Sequence, residues 1–358
     1  MSISSMNRSL FLESKQGQFT VRSTETPRAG PGEVLVKVEA TALNPIDWKI
    51  QSLGFFVEKY PAVLGFDAAG AIAQVGEGIP STSFAIGDRV VIQGWFDFAK
   101  KSTVGTFTEY FVLPSKFVAK IPASTSFDEG TTLMSGIATS AFPLYNQDPT
   151  AASVRLTAPW LEGGRGKYAG KPFLVLAGAG SVGQFVIQFA RLSGFSPIIT
   201  TASLHNAPFL KSIGATHVLD RNLPNDELIA EATKLAGGPF EVVYDAISTL
   251  ETRAAAYALT AQGGNLVTVA VAEELMAKAK EDGKGVHMAN GLFVTPLNHD
   301  IGRTLLDALP ALLENGDIKP NRTEILPGGL NGVPDGLQRL KNNQVSGVKL
   351  VIHPQDTA

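Results

Sequence analysis

Alternating hydrophobic and polar residues indicate a series of short strands in the first third of the chain. Residues 34–40 alternate in this way directly after the turn signal Pro31–Gly32, which is typical of a half-buried strand. Further runs of this kind, separated by Gly, Pro, Ser and Asp, cover residues 69–75, 89–93, 107–113 and 118–121. This spacing predicts an all-β, barrel-like first domain.

The pattern changes after Pro122, because from there each apolar strand run is followed by a helical one. A first helix is predicted over residues 128–145. Later strands are predicted at 173–177, 197–201, 215–219, 242–245 and 266–270, and helices at 182–193, 207–213 and 226–235. This alternation predicts a parallel sheet covered by helices on both faces.

Two segments interrupt or follow this alternation. Residues 148–171 are rich in Pro, Gly and Ala without a clear period, and we interpret them as a surface insertion before the first parallel strand. Beyond Ile301 the sequence predicts helices at 304–315 and 336–340 and a last strand at 348–352. We expect this final segment to return to the first domain.

The length and charge of the chain limit the kinds of protein it can be. Its 358 residues exceed the roughly 250–300 at which a single hydrophobic core stops growing, so we expect two domains. The formal net charge is only -3, and the 30 Lys and Arg residues are scattered. No basic stripe is therefore available for a nucleic acid or an anionic membrane surface.

The absence of cysteine excludes several chemistries. Such a chain has no disulfide, no thiolate nucleophile and no zinc site built on sulfur. Residues 1–11 are polar and lack the apolar core of a secretory signal, and no apolar run approaches the roughly 20 residues that span a bilayer. We therefore expect a cytoplasmic protein without a membrane partner.

A glycine-rich segment carries the clearest chemical signal. Gly178, Gly180 and Gly183 have the G-x-G-x-x-G spacing, directly after a predicted strand and at the start of a predicted helix. In this context the first glycine permits a tight turn, the second lets a pyrophosphate approach the backbone, and the third lets helix and strand pack closely. The expected dinucleotide-binding residues are Gly178, Ala179, Gly180, Ser181, Val182 and Gly183.

The residues after this loop indicate which dinucleotide binds. In such a fold a carboxylate about 20 residues further on binds the ribose 2′-hydroxyl of NAD, but residues 184–219 contain no Asp or Glu. A 2′-phosphate would instead accept hydrogen bonds from hydroxyl, amide and cationic donors. The donors at the end of the second strand are Ser203, His205, Asn206 and Lys211. The sequence therefore predicts NADPH rather than NADH, although Ser203 and Asn206 could also serve as helix caps.

Nearly the whole chain resembles the medium-chain dehydrogenases/reductases. The segments that carry the resemblance are Gly30-Pro-Gly-Glu-Val-Leu-Val-Lys-Val38, Leu43-Asn-Pro-Ile-Asp-Trp-Lys49, Leu64-Gly-Phe-Asp-Ala-Ala-Gly70, Gly87-Asp-Arg-Val90 and Gly105-Thr-Phe-Thr-Glu-Tyr110. The resemblance implies an α/β protein with a GroES-like β-barrel catalytic domain and a Rossmann domain, a doubly wound parallel sheet. It assigns residues 1–125 to the catalytic domain, 126–300 to the NADP-binding domain and 301–358 to the return.

The positions of the zinc ligands separate this chain from the zinc-dependent members. Those members carry a Cys shortly before the position of Asp47, a Gly-His-Glu at the positions of Gly65, Phe66 and Asp67, and a four-Cys lobe; this chain has none of these. Its five histidines also stand apart without ligand spacing. We therefore expect a zinc-independent enzyme with no metal site.

Within this family the chain is most similar to the fungal trans-acting enoyl reductases of polyketide synthases. The similarity rests on residues 44–49, 135–140, 192–203 and 346–352, on His205–Asn206, and on the insertion before the Rossmann strand. It implies an NADPH-dependent reductase of an activated carbon–carbon double bond, with an acyl-thioester substrate carried by a polyketide synthase. The loop Ala177-Gly-Ala-Gly-Ser-Val-Gly183 instead resembles that of general quinone and alcohol oxidoreductases.

The resemblance also suggests which residues act. It places Lys49 and Thr139 at the nicotinamide, where an ammonium and a hydroxyl could hold the thioester carbonyl, and it makes Tyr60 a candidate proton donor. Asn44 and Asp47 join the cofactor-binding set as residues that shape the surrounding loops, and Lys349 is also expected to bind the cofactor. The alternatives are a surface lysine, a helix-interior hydroxyl bonded to its own backbone and a tyrosine that simply packs.

Two other functions remain open from the sequence. A quinone or α,β-unsaturated ketone reductase, or a zinc-independent alcohol dehydrogenase, would use the same fold without an acyl-carrier partner. A non-catalytic NADPH-binding protein is a third possibility, because fold does not fix function. The acyl substrate, the stereochemistry and the choice between monomer and dimer also stay open.

Overall fold

Antiparallel strands occupy the two ends of the chain, and a parallel sheet occupies its middle. The computed structural model describes residues 3–358; residues 1 and 2, with which the predicted first domain begins, lie outside the described residues. The first of two compact units comprises Met1–Ser135, Leu309–Glu314 and Pro320–Ala358, and the second Gly136–Ala308 and Asn315–Lys319. The predicted fold class is confirmed, while the domain limits at residues 125 and 300 stay predictions.

The strands and helices follow one another in chain order. The strands are β1 Met6–Leu12, β2 Phe19–Glu25, β3 Glu33–Ala42, β4 Ala62–Val63, β5 Asp67–Val75, β6 Arg89–Ile92, β7 Trp95–Asp97, β8 Ser102–Val104, β9 Tyr110–Pro114, β10 Ala119–Lys120, β11 Phe173–Leu176, β12 Ile198–Ala202, β13 His217–Asp220, β14 Phe240–Asp245, β15 Thr260–Thr268, β16 Gly285–Met288, β17 Thr323–Ile325 and β18 Lys349–Ile352. The helices are α1 Pro45–Leu53, α2 Phe127–Gly130, α3 Met134–Tyr145, α4 Ser181–Leu192, α5 Ala207–Ser212, α6 Asn225–Ala236, α7 Leu250–Leu259, α8 Glu273–Asp282, α9 His299–Glu314 and α10 Val333–Lys341.

The main sheet of the first unit has the strand order β10-β6-β5-β3-β18-β17, and β9 also pairs with β3. Because side chains alternate between the two faces of a strand, Val34, Val36 and Val38 of β3 all face one hydrophobic core, where they pack with Ile72 and Val90. The C-terminal strand β18 pairs antiparallel with β3 through Val351 and Ile352. The end of the chain is therefore part of the first unit's sheet.

The sheet of the second unit has the order β13-β12-β11-β14-β15-β16, and all of its strands are parallel. All four residues of β11 are buried, as expected for a central strand covered on both faces. The chain runs from β11 outward to β13 and then returns to β14 on the other side of β11. The strand order thus reverses next to β11.

The structure corrects several predicted elements. The helix predicted over 128–145 is divided into α2 and α3, because the carboxylate of Asp67 accepts the N–H of Ser135 at 2.7 Å and starts a new helix there. The helix α1 was not predicted, although Pro45 at its first position and Gly54 at its end (φ 70°) are ordinary helix signals. Other elements that the pattern missed are β1, β2, β4, β7, β8, β16, β17, α7 and α8.

A buried network of charged and polar side chains joins β18, β5 and the start of α1 in the first unit. The ammonium of Lys349 in β18 donates to Asp67 Oδ2 and to Asn44 Oδ1, each at 2.8 Å. Asn44 Nδ2 also donates to Asp67 Oδ2 at 2.8 Å. The Lys349 side chain is 3% exposed and that of Asp67 is 0% exposed. Because each charge is paired and hydrogen-bonded, the network can exist without water.

Asp47 fixes the start of α1 beside this network. Its carboxylate accepts the N–H of Asn44 at 2.8 Å and the N–H of Gly65 at 3.0 Å. Burial raises the pKa of Asp47 from 3.8 to about 7, against the opposing effect of these two N–H groups, and the charge of Asp67 adds to the increase.

We expect Lys349→Met to destabilise the first unit by about 3–5 kcal/mol, because it leaves the carboxylate of Asp67 buried and unpaired. Urea denaturation measures the change. The exposed Lys341 gives a matched control, and Lys341→Met should alter the free energy of unfolding by no more than about 0.5 kcal/mol. The double variant Lys349→Met/Asp67→Asn should recover part of the loss, and equal losses in Lys349→Met and Lys341→Met would contradict the account.

Stability should also depend on pH through Asp47. The folded-state pKa of about 7 lies above the ordinary 3.8, so between these values the folded chain holds a proton that the unfolded chain has lost. The free energy of unfolding should therefore fall as pH rises through this window and level off above it. Asp47→Asn cannot titrate and should lose this part of the slope in denaturation curves recorded across the window; an unchanged slope would show that Asp47 is ionised in the folded protein.

Candidate functional site

The glycine-rich loop lies where the parallel sheet of the second unit reverses its strand order. Residues 177–180 connect β11 to α4, and β11 lies between β12 and β14. In open α/β sheets, ligands bind outside the carboxyl ends of the strands at this position. The fold therefore puts the predicted loop at the expected binding edge of the sheet.

Packing within the protein explains two of the three glycines. A Cβ on Gly178 would lie 2.0 Å from Thr200 Oγ1, and one on Gly183 would lie 2.4 Å from the carbonyl oxygen of Ala177. The tight turn predicted for Gly178 is made instead by Ala177, whose φ is 60°. Gly178 thus serves the contact between β11 and β12, and Gly183 the contact between helix and loop.

Gly180 is different, because no neighbour in the described chain requires it. Its φ is -68°, which any residue can adopt, and a Cβ there would only reach ordinary contact with Ala177, at 3.4 Å. Gly180 is also exposed. A glycine that the fold does not need leaves space on the outer side of the loop, as a pyrophosphate lying against the backbone would demand.

The donors around this space fit an anion. Gly180 is the N-cap of α4, and Ser181, Val182 and Gly183 form its first turn, where backbone N–H groups have no partner within the helix. The positive end of the helix dipole adds to them. Ala179 is held by Gln184, whose Nε2 donates to the Ala179 carbonyl at 2.8 Å. These residues could hold the pyrophosphate of a dinucleotide.

The end of β12 carries the residues predicted to select the 2′-phosphate. Ser203 is half-buried at the N-cap position of a short 3-10 helix, Leu204–Asn206, and its side chain makes no capping bond there. His205 and Lys211 are exposed, whereas Asn206 is 2% exposed and contacts His205 Nε2 at 3.1 Å.

The structure adds one residue that sequence reasoning missed. The N–H of Arg221, just beyond β13, donates to the carbonyl of Ala202 at 3.0 Å, so an exposed arginine lies beside the end of β12. The carboxyl ends of neighbouring parallel strands meet at one edge of the sheet, and this rule could have found it.

Thr139 lies on α3, which contacts the first turn of α4 after the glycine-rich loop. The following residue, Ser140, donates to the carbonyls of Gly136 at 2.7 Å and Val182 at 3.0 Å, which fastens α3 to the first turn of α4. It is thus Ser140 that bonds back to its own helix, while the Thr139 hydroxyl is half-buried and lies against the backbone of Gly291.

Two residues that the sequence analysis did not single out fix the position of Thr139. The Tyr244 hydroxyl donates to the carbonyl of Thr139 at 2.6 Å, and burial raises the pKa of Tyr244, which keeps its proton in place. A Cβ on Gly291 would lie 2.2 Å from Thr139 Oγ1. Gly291 is therefore needed for the observed position of this hydroxyl.

Lys49 and Tyr60 both belong to the first unit. Lys49 is half-buried in the second turn of α1, with its ammonium 5.9 Å from the centre of the Trp48 ring. The Tyr60 hydroxyl donates to the carbonyl of Val57 at 3.0 Å, and partial burial raises the pKa of Tyr60. Asn44, Asp47 and Lys349 lie in or beside the buried network; their contact with a cofactor, like the catalytic roles of Lys49 and Tyr60, stays a prediction.

Other surfaces offer less to a nucleotide. Residues 3–358 contain no group of three or more His, Asp or Glu side chains that could hold a metal ion. A hollow of about 350 Å³ in the first unit is lined by Glu39, Phe127, Asp128, His353, Gln355 and Asp356. Its three carboxylates would repel phosphate groups. Among the described helices, none combines the length and apolar character needed to cross a membrane.

Two family models match the chain. Residues 30–123 match the alcohol dehydrogenase GroES-like domain, and residues 181–292 match a domain described as zinc-binding dehydrogenase. The first covers β3 to β10, and the second begins at Ser181, the first residue of α4.

Curated relatives match over almost their full length. A trans-enoyl reductase of Fusarium heterosporum is 32% identical, over 94% of this chain and 95% of the relative. A dehydrogenase of Emericella nidulans is 29% identical, over 97% of this chain and 99% of the relative. Among solved structures, an alcohol dehydrogenase superfamily protein of Novosphingobium aromaticivorans has a TM-score of 0.76 over 97% of this chain and 99% of that chain. Its sequence identity is 23%, so this similarity shows the fold alone. The chain therefore belongs to the medium-chain dehydrogenase/reductase family, together with the fungal trans-enoyl reductases.

Proposed function

We propose that this protein is an NADPH-dependent enoyl reductase that reduces the double bond of an α,β-unsaturated thioester in a polyketide pathway. The observation that carries the proposal is the similarity to trans-enoyl reductases over nearly the whole chain, with 32% identity over 94% of this chain in one case and 31% identity over 94% of it in another. In such a pathway the substrate would reach the enzyme on an acyl-carrier domain, and we expect the protein in the cytoplasm.

The reaction sets three requirements, of which the cofactor meets the first and residues of this chain are proposed to meet the other two. When bound, the cofactor supplies a hydride for the β-carbon of the alkene. The π electrons then shift towards the carbonyl, and an N–H or O–H donor is needed where negative charge develops on the thioester oxygen. Lys49 and Thr139 are the proposed donors. The α-carbon finally receives a proton, for which Tyr60 is the proposed donor, since its hydroxyl stays protonated at neutral pH.

NADPH is favoured over NADH by the charges near β12. Residues 184–219 contain no carboxylate that would repel a 2′-phosphate, and the next one, Asp220 opposite Ala202, accepts the N–H of Asn222 at 2.9 Å. Ser203 and Arg221 bring a hydroxyl and a guanidinium to the same strand end. An arginine at this place is a suitable partner for a 2′-phosphate, because its planar donors match phosphate geometry.

One observation favours a second candidate, a quinone or enone reductase. The loop Ala177-Gly-Ala-Gly-Ser-Val-Gly183 resembles that of general quinone and alcohol oxidoreductases. The cofactor site would be the same, but no acyl-carrier partner would be needed.

The function is tested by NADPH oxidation across a panel of enoyl thioesters, enones and quinones. We expect the highest kcat/KM with enoyl thioesters, with the saturated thioester as the product. A preference for quinones or enones would establish the second candidate. Tight NADPH binding without turnover of any activated alkene would indicate a non-catalytic NADPH-binding protein.

The cofactor assignment predicts different effects for two variants, one at Gly180 and one at Ser203 and Arg221. Gly180→Ala should weaken NADPH and NADH alike without loss of thermal stability, because only the ligand needs the missing Cβ. Ser203→Ala combined with Arg221→Ala should weaken NADPH by roughly 10- to 100-fold and leave NADH nearly unchanged. Fluorescence titration measures each affinity, and equal affinity of the wild type for the two cofactors would contradict the NADPH proposal.

The catalytic assignment predicts loss of turnover without loss of folding. Lys49→Ala and Thr139→Val should each lower kcat by about 10²–10³, the usual effect of removing one oxyanion donor. Lys116 is the matched control for Lys49, since it also lies over an adjacent aromatic ring, that of Phe117 at 4.9 Å. Lys116→Ala should keep its turnover.

Thermal stability and NADPH affinity should stay close to wild type in the Lys49→Ala and Thr139→Val variants. Near-normal kcat with the best substrate would remove these residues from the mechanism. Tyr60→Phe then reports on the proton donor by the change in the pH profile of kcat.

A further inference from the structure

Five phenylalanine rings of the first unit form a continuous series from its buried interior to its surface. The rings are in contact in the order Phe66, Phe96 and Phe56, with centroid separations of 4.9 Å and 5.1 Å. Phe55 contacts Phe56 at 5.9 Å, and Phe98 contacts Phe96 at 5.9 Å. We call these five residues the phenylalanine ladder.

Exposure increases along the ladder. Phe66 is 3% exposed, whereas Phe55 is 48%, Phe56 is 56% and Phe98 is 70% exposed. Isolated exposed hydrophobic residues are common, but three large exposed rings in one series are an apolar surface that usually binds something. The ladder therefore offers an apolar path that leads inward from water.

The inner end of the ladder adjoins the residues of the proposed function. Phe66 lies between Gly65, whose N–H is held by Asp47, and Asp67, which is paired with Lys349. The outer rings Phe55 and Phe56 follow directly after α1, the helix that carries Lys49. The same short segments thus hold both the proposed carbonyl donor and the ladder.

The conformation of Phe56 indicates a role other than packing. Its φ is 64°, in the left-handed region that side chains with a Cβ adopt at a cost. A glycine would adopt this conformation without strain, yet a large and mostly exposed ring stands there. The exposed surface of that ring contributes little to folding, so folding alone does not account for it.

The charges next to the ladder favour a neutral, apolar occupant. Lys100 is paired with Asp97 at 3.0 Å, and Lys101 is paired with Glu58 at 2.6 Å. Both lysines of the β7–β8 turn thus have a carboxylate beside them, so this surface has little net positive charge to attract an acidic protein.

We propose that the phenylalanine ladder binds the hydrocarbon chain of a long acyl thioester, with the chain lying along Phe98, Phe96 and Phe56. This inference rests on the proposed function and adds a substrate class to it: long, apolar acyl groups rather than short ones. The ladder sets the preference for chain length, and the thioester group binds outside the ladder.

The test compares kcat/KM for two pantetheine thioesters, crotonyl and 2-dodecenoyl, in the wild type and in Phe98→Ser and Phe56→Gly. We expect the wild type to prefer the dodecenoyl chain, and each substitution to lower the dodecenoyl-to-crotonyl ratio by roughly tenfold. Phe56→Gly should have an unchanged or higher melting temperature, because it relieves the φ of 64°. Ile86→Ser, which removes a side chain that is 63% exposed, is the matched control and should keep the wild-type ratio.

A binding measurement separates this inference from the proposed function. Isothermal titration calorimetry with the unreactive dodecanoyl pantetheine thioester should show binding that Phe98→Ser and Phe56→Gly weaken. Such binding without reduction of either enoyl thioester would support the ladder and reject the proposed function. Turnover with an unchanged ratio in both variants, or no preference for dodecenoyl in the wild type, would overturn the ladder proposal alone, as would a wild-type dimer that Phe98→Ser dissociates.

Discussion

The ion pair between Lys349 and Asp67 joins residues that are 282 positions apart in the sequence and almost completely buried. Removing both charges from water is costly, and only close pairing with further hydrogen bonds compensates for it. Asp67 accepts such bonds from Asn44 and from the backbone of Ser135. The C-terminal strand, the start of α1 and the start of α3 therefore depend on one carboxylate, and the position of Lys49 on α1 depends on it in turn.

Phe66 and Asp67 illustrate how a family scaffold can keep its shape with different chemistry. Zinc-dependent relatives carry Gly-His-Glu at the positions of Gly65, Phe66 and Asp67. In this chain the carboxylate of Asp67 accepts hydrogen bonds from the Lys349 ammonium, the Asn44 amide and the backbone N–H of Ser135. The ring of Phe66 begins an aromatic series. At these positions the carboxylate of Asp67 thus stabilises the fold, and the buried ring of Phe66 begins an aromatic series that reaches the exposed rings of Phe56 and Phe98.

The three glycines of the glycine-rich segment have different physical reasons. Gly178 and Gly183 are required because neighbouring atoms leave no room for a Cβ, whereas Gly180 has room for one and lacks it. The motif alone cannot make this distinction, since all three residues are glycine. In the same way, Ser140 takes the bond to its own helix that Thr139 could have made, and Gly291 and Tyr244 fix where Thr139 lies.

The sequence by itself determined the alternation of strands and helices from β11 to β14, the place of the glycine loop and the absence of carboxylates in residues 184–219, because these depend on local periodicity and spacing. It did not show that Asp67 accepts the N–H of Ser135 at the start of α3, that Arg221 lies beside the end of β12, or that Gly291 contacts Thr139. The phenylalanine ladder also brings together residues from separate segments of the chain. Only the tertiary structure decided these features, because each depends on which distant residues the folded chain brings within a few ångströms, and hydrophobic periodicity carries no information about those partners.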